Sequence, residues 1–226
     1  MTRSILDFDG TFGVGLRDGD ALTTSNENFG FNSSGSNPVV DSFCVFGKHS
    51  MKAALTGANF FNPAIANPGG TGNTCYLVGF VYFSALPGGN LPIWVPQSGA
   101  TNRCQVTIST AGKFNIRSPA TLVASGATGP WTGKWVRLEY DCVVGTQTLR
   151  IYGGSNMFGS TPDETLSGAI TITTGFDRIR VGPINAGDTL NYFLSDLLAD
   201  SVAQPGMAAL AGEEYDGADL MCGLAA

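Results

Sequence analysis

From residue 75 onward, apolar and polar positions alternate with a period of two, broken at intervals by glycine. Residues 75–83 (CYLVGFVYF) are apolar on both alternating faces, the pattern of a central strand covered on both sides. In 103–108, Cys104, Val106 and Ile108 fall on one face and Arg103, Gln105 and Thr107 on the other. Residues 110–113 supply a turn and Phe114 and Ile116 resume the inward face, which predicts a hairpin. A second hairpin follows, in which Val136, Leu138, Tyr140 and Cys142 alternate with Trp135, Arg137, Glu139 and Asp141 before a turn at Gly145. Leu149 and Ile151 return inward, with Thr148, Arg150 and Tyr152 outward. Arg150 facing Glu139 or Asp141 would contribute roughly 0.2–1 kcal/mol. Shorter strands are expected at 169–173 and 178–182 around Gly175. Residues 191–202 close the series before Pro205 and Gly206.

Before residue 75 the pattern weakens. Strands are expected at 4–8, 42–46 and 52–55, separated by polar, glycine-rich loops at 32–37 and 67–73. Residues 1–74 therefore form the loop-rich N-terminal part of one domain that spans 1–226. Ala208, Ala209 and Ala211 between Gly206 and Gly217 favour a short helix at 207–215, so 206–226 reads as a C-terminal helix or arm. Many short strands with no helical pattern between them predict an all-β, antiparallel sandwich or barrel.

Composition sharpens this reading. The 31 glycines among 226 residues are about twice the usual share, which excludes a helical bundle. Only 13% of residues are charged and the net charge is −6, so no basic field exists to hold nucleic acid. No apolar run is long enough to cross a membrane as a helix. The start of the chain lacks the apolar core of a signal peptide, and synthesis and folding in a cytosol are expected. Five cysteines, with no CxxC pair, read as reduced, buried, small hydrophobes.

The candidate chemistry is thin. Residues 5–11 (ILDFDGT) resemble the DxDGT motif of haloacid-dehalogenase-type phosphatases, a resemblance that would make Asp7 the nucleophile and Asp9 the acid/base beside magnesium, with Gly187-Asp188 imitating a later motif. That family needs a doubly wound sheet with long helices, absent from this pattern, so the motif reads as a strand ending in an Asp-Gly turn. Glu139 and Asp141 share a strand face as the carboxylates of concanavalin-like glucanases do. The further glutamate such enzymes need is missing, because Cys142, Val143 and Val144 follow. Arg137 and Arg150 suit them better, as partners in surface ion pairs. His49 is the single histidine and reads as a loop residue. Asp18 and Asp20 read as an acidic turn rather than a calcium loop, and 69–72 as a flexible loop. No enzyme activity, metal or cofactor is expected. Trp94, between Pro92 and Pro96, together with Trp131, Trp135 and Tyr152, are the candidate contacts for a ligand or partner. Their rings could stack on sugars or lodge in a neighbouring subunit, or Trp131 or Trp135 could cover the sandwich edge.

The segment 133–140 (GKWVRLEY), a turn, and 148–153 (TLRIYG) resemble the hairpin of laminin-G-like, concanavalin A-like jelly rolls. Residues 192–201 (YFLSDLLADS) are similar to the final strand of that fold, and 76–83 to an early central strand. The resemblance covers residues 75–205 and implies a jelly-roll β-sandwich. In style the chain also looks like accessory structural proteins of tailed bacteriophages. That likeness implies a virion component (capsid decoration, head fibre or minor tail protein) which assembles as a homo-oligomer, a trimer, with other virion proteins. The alternative it leaves open is a lectin-like carbohydrate-binding module reading host surface glycans through Trp94, Trp131 or Tyr152.

Overall fold

The computed structural model describes residues 3–6, 30–31, 39–41, 43–45, 50–56, 63–66, 72–119, 121–170, 175–182 and 189–205. One sheet, here sheet A, contains β1 (Arg3–Leu6), β3 (Val39–Asp41), β4 (Ser50–Thr56), β6 (Thr74–Phe83), β12 (Trp135–Val143), β13 (Thr146–Gly153), β14 (Glu164–Ala169) and β16 (Thr189–Asp200). The other, sheet B, contains β2 (Gly30–Phe31), β5 (Pro63–Ala66), β7 (Leu91–Ser98), β8 (Thr101–Asn102), β9 (Gln105–Ile108), β10 (Phe114–Ser118), β11 (Thr121–Ser125) and β15 (Arg178–Val181). Sheet A runs β14-β13-β12-β6-β16-β4-β3, and sheet B runs β11-β10-β9-β7-β15-β5-β2. Every pairing is antiparallel, and long crossovers place β16 between β6 and β4 and β15 between β7 and β5. This is an all-β, antiparallel two-sheet sandwich, one of the two forms that the alternation predicts, with the jelly-roll arrangement that the resemblance implies.

The period-two pattern sets the register. In the 135–153 hairpin Leu138 faces Ile151 and Tyr140 faces Leu149, and these side chains enter the core together with Val136 and Cys142. Gly112 (φ 68°) and Gly145 (φ 99°) turn the two expected hairpins in a backbone region that strains other residues. The interior between the sheets is aromatic: Phe83 stands 5.2 Å from Tyr192 and 6.5 Å from Phe114 across the sandwich. β16 is a long strand whose second edge is shared, β4 pairing with 189–194 and β1 with 197–200. A bulge separates Ser195 from Leu197, where Asp196 takes φ 45°.

The strands depart from the expected pattern in three places. The strand expected at 42–46 is not one over residues 43–45, and the strand of this region is β3. Phe43, outside the ladder, packs its ring edge-on against Tyr82 at 4.8 Å. β14 at 164–169 was not expected, and Thr146 to Ile151 of β13 find their partners there; it meets the strand expected at 169–173 only at Ala169, and 171–173 lie outside the described residues. β7 was unexpected: Pro92 and Pro96 argue against a central strand, and a bulge between Pro92 and Trp94 accommodates the first of them. Asp7, Asp9, Asp18, Asp20, His49, Gly187, Asp188, Cys222 and the helix expected at 207–215 lie outside the described residues.

Candidate functional site

All four aromatic residues singled out for ligand or partner contact are buried, so none presents an open ring face on which a sugar could stack. Trp94 lies fully between the sheets, because the bulge after Pro92 sends both Ile93 and Trp94 into the core. Trp131 is 5% exposed. Its ring occupies the space over Gly153, where an added Cβ would come within 2.1 Å of it, and it stacks on Phe114 at 6.5 Å. Lys134 Nζ covers its remaining face at 4.7 Å. Trp135 packs on the outer face of sheet A in an aromatic cluster with Phe43 (5.2 Å), Tyr82 (5.7 Å) and Phe193 (6.4 Å). Tyr152 lies beneath the Arg137 guanidinium, 3.6 Å from its ring centre.

That same outer face explains the paired carboxylates. Arg137 Nε meets Glu139 Oε1 at 3.3 Å, and Tyr152 donates its hydroxyl hydrogen to Glu139 at 3.2 Å. Arg137 also donates to the carbonyls of Met157 (2.8 Å) and Gly159 (2.7 Å), latching the 154–163 loop onto the sheet. Asp141 pairs with Arg150 at 2.9 Å, although the register sets Arg150 opposite Glu139. Both carboxylates are thus engaged by arginines, but the Arg137–Glu139 pair is buried and not the surface pair expected. Burial pushes the Tyr152 phenol up, helped by the Glu139 charge, and pushes the Asp141 carboxyl up against the opposing pull of Arg150.

A groove of about 330 Å³ opens instead on the outer face of sheet B. The alternation that sends Val106, Ile108 and Ile116 inward sends Gln105, Thr107 and Arg117 outward, and Arg117 stands opposite Gln105, Thr107 opposite Pro92. Pro92 and Pro119 give the groove apolar walls, while Asn90, Asn102, Gln105, Thr107 and Arg117 give it amide, hydroxyl and guanidinium groups. None of these lining residues is acidic. The rim is ordered: Gln97 donates to Asn102 Oδ1 at 2.8 Å, Arg180 reaches the same oxygen at 3.4 Å, and Gln105 Nε2 reaches the Pro119 carbonyl at 3.5 Å. Thr107 is 1% exposed and its hydroxyl has no hydrogen-bond partner, a cost of roughly 1–3 kcal/mol unless something fills the place. Half-burial lowers the pKa of Arg180 by desolvation. The signal for this site in the sequence is the polar face of 103–108, which carries no aromatic ring. Among the described residues no cluster of three or more His, Cys, Asp or Glu side chains is placed to hold a metal ion.

No family model matches the chain, and no curated protein matches it. Solved structures do. A protein of unknown function from Shewanella oneidensis MR-1 superposes with a TM-score of 0.56 at 11% identity, covering 94% of this chain and 89% of its own. The exoplasmic/lumenal domain of VIP36 superposes with a TM-score of 0.51 in its metal-free form, at 8% identity over 81% of this chain and 89% of that one. A Trypanosoma rangeli sialidase reaches 0.48 at 11% identity, and the chain spans 27% of its length; at that score it bears on no statement about this chain. The likenesses above 0.5 show a shared β-sandwich fold.

Proposed function

We propose that this chain is a lectin-like, carbohydrate-binding β-sandwich that holds a glycan in the groove on the outer face of sheet B. The observation that carries this reading is the groove's lining: side-chain amides, a guanidinium and an unpartnered buried hydroxyl between two proline walls. Sugars present alternating hydroxyls and apolar C–H faces, and such a surface meets both with few fixed polar groups and rigid apolar walls. Thr107 supplies the hydroxyl that a sugar oxygen would satisfy. Gln105, Asn102 and Asn90 can each donate and accept, and Arg117 donates only. The concanavalin-like sandwich is consistent with this role, although fold alone does not assign it. None of the proteins named above is described as a virion component, and a trimer on a phage particle gains no support from them.

The test is a glycan panel followed by calorimetric titration of any sugar that binds. Arg117→Ala is expected to weaken binding about 10-fold or more, and Thr107→Val about 5-fold, from the usual worth of charged and neutral hydrogen bonds. Trp131→Ala would act through lost core packing, visible as a lower melting temperature. A blank panel, or a bound sugar whose affinity ignores Thr107 and Arg117, overturns the reading.

A further inference from the structure

Three buried cysteines converge between the sheets, away from the groove. Cys142 lies in β12 of sheet A with its side chain in the core, and Cys75 is its register partner on β6. Cys104 comes from the facing sheet, just before β9, and is also in the core. The Sγ atoms of Cys104 and Cys142 stand 2.7 Å apart, about 0.7 Å longer than a disulfide bond. All three thiols are fully buried.

We propose that Cys104 and Cys142 are an oxidisable pair, which a low-molecular-weight disulfide such as glutathione disulfide converts into a covalent link between the two sheets. In the first step the thiolate of one cysteine attacks a sulfur of glutathione disulfide, whose S–S bond breaks to release one glutathione and leave a mixed disulfide. The second cysteine, as thiolate, then attacks the protein sulfur of that mixed disulfide. The Cys104–Cys142 bond forms and the second glutathione leaves. The two thiol protons end on the two glutathiones, so two protein thiols are oxidised as one glutathione disulfide is reduced. Joining facing sheets through their core is a device that sandwich domains accommodate. Exchange occurs while the sheets are apart: burial raises the Cys142 and Cys75 thiols well above the ordinary range, which withholds the thiolate from the closed sandwich. The same closure then shields the disulfide from reductants. The link would close residues 104–142 into one loop and restrict the unfolded chain.

The experiment refolds the full chain from denaturant in glutathione buffers, one reducing and one oxidising, then blocks free thiols and measures intact mass. The oxidised sample is expected to lose two hydrogens and to show two fewer reactive thiols in denaturant than the five of the sequence. A non-reducing digest should yield one linked peptide pair carrying residues 104 and 142. Its melting temperature should exceed that of the reduced chain by about 5–15 °C, and dithiothreitol should open the link only with denaturant present. Cys75→Ser should keep the link, and Cys104→Ser or Cys104→Ala should abolish it. Five free thiols after oxidative refolding of the native chain, or a linked pair containing residue 75, would overturn the assignment. The native-chain measurement stands even where a variant fails to fold.

Discussion

Arg137 Nε and Glu139 Oε1 stand 3.3 Å apart on the outer face of sheet A, with side-chain exposures of 2% and 10%. The contact joins charges without the alignment of a hydrogen bond, since Arg137 Nε makes none. What compensates the burial is the surrounding set: two carbonyls taking the other guanidinium nitrogens, and the Tyr152 ring beneath.

Removing one charge therefore strands the other. Glu139→Ala is expected to destabilise the fold by about 3 kcal/mol, and Tyr152→Phe, which removes only the hydroxyl on Glu139, by about 1 kcal/mol. Replacing both charges, Arg137→Met with Glu139→Leu, should recover much of the loss. Urea unfolding of the four proteins checks this; a double variant no more stable than Glu139→Ala would refute it.

Gly79 sits opposite the bulge of β16, where the Asp196 carbonyl approaches to 2.8 Å of the position a Cβ would take and Leu197 Cδ1 to 3.1 Å. The first obstacle is backbone, which cannot swing aside. Gly79→Ala is expected to cost about 2 kcal/mol by overpacking. At Gly89, nothing lies within 4 Å of the added carbon, so Gly89→Ala should stay within about 0.5 kcal/mol of the native chain. Equal midpoints for the two variants in urea would show that the bulge yields.

The strand at 75–83 was legible as an unbroken apolar run covered on both faces, and the hairpin at 135–153 by its alternation, whose core-facing side fixes the register at period two. The strand β7 was hidden by its prolines, and β14 by a sequence (ETLSGA) with one strongly apolar residue, Leu166. Its pairing comes from β13, which no local pattern reveals. The candidate site was less legible still. Tryptophans near glycine and proline suggest exposed rings, but Gly153 supplies a seat for Trp131, and the bulge turns Trp94 inward. Both are tertiary facts. The polar groove was written in Gln105 and Thr107, whose outward row means little until Arg117 and the two prolines come beside it.

Asp141 carries a pH signature. Burial raises its carboxyl above the ordinary aspartate range and Arg150 offsets only part of the rise. Between the unfolded and the raised folded pKa, the native state holds more protons than the unfolded chain, so this residue's contribution to stability falls as pH rises through that window. Asp141→Asn is expected to remove that decline while losing the partly exposed ion pair to Arg150. Unfolding free energies measured across the acid range for both proteins check it, and an unchanged slope difference would refute the assignment.

At the alkaline end, Tyr192 contributes in the same direction. Its phenol is fully buried, has no hydrogen-bond partner, and is pushed well up by desolvation; Tyr140 is raised from the same cause. In the unfolded chain a tyrosine ionises near pH 10. Above that pH the unfolded state sheds protons that the native state keeps, and stability falls as pH rises. Tyr192→Phe removes that contribution and the unpaired hydroxyl together, so it is expected to stabilise the fold by about 1 kcal/mol at neutral pH and by more under alkaline conditions. Urea unfolding at neutral and alkaline pH, followed with tyrosinate absorbance, gives both readings. Buried tyrosines that ionise in the ordinary range while the near-ultraviolet dichroism stays native would show that water reaches the phenol without unfolding, and the predicted pH dependence would fail.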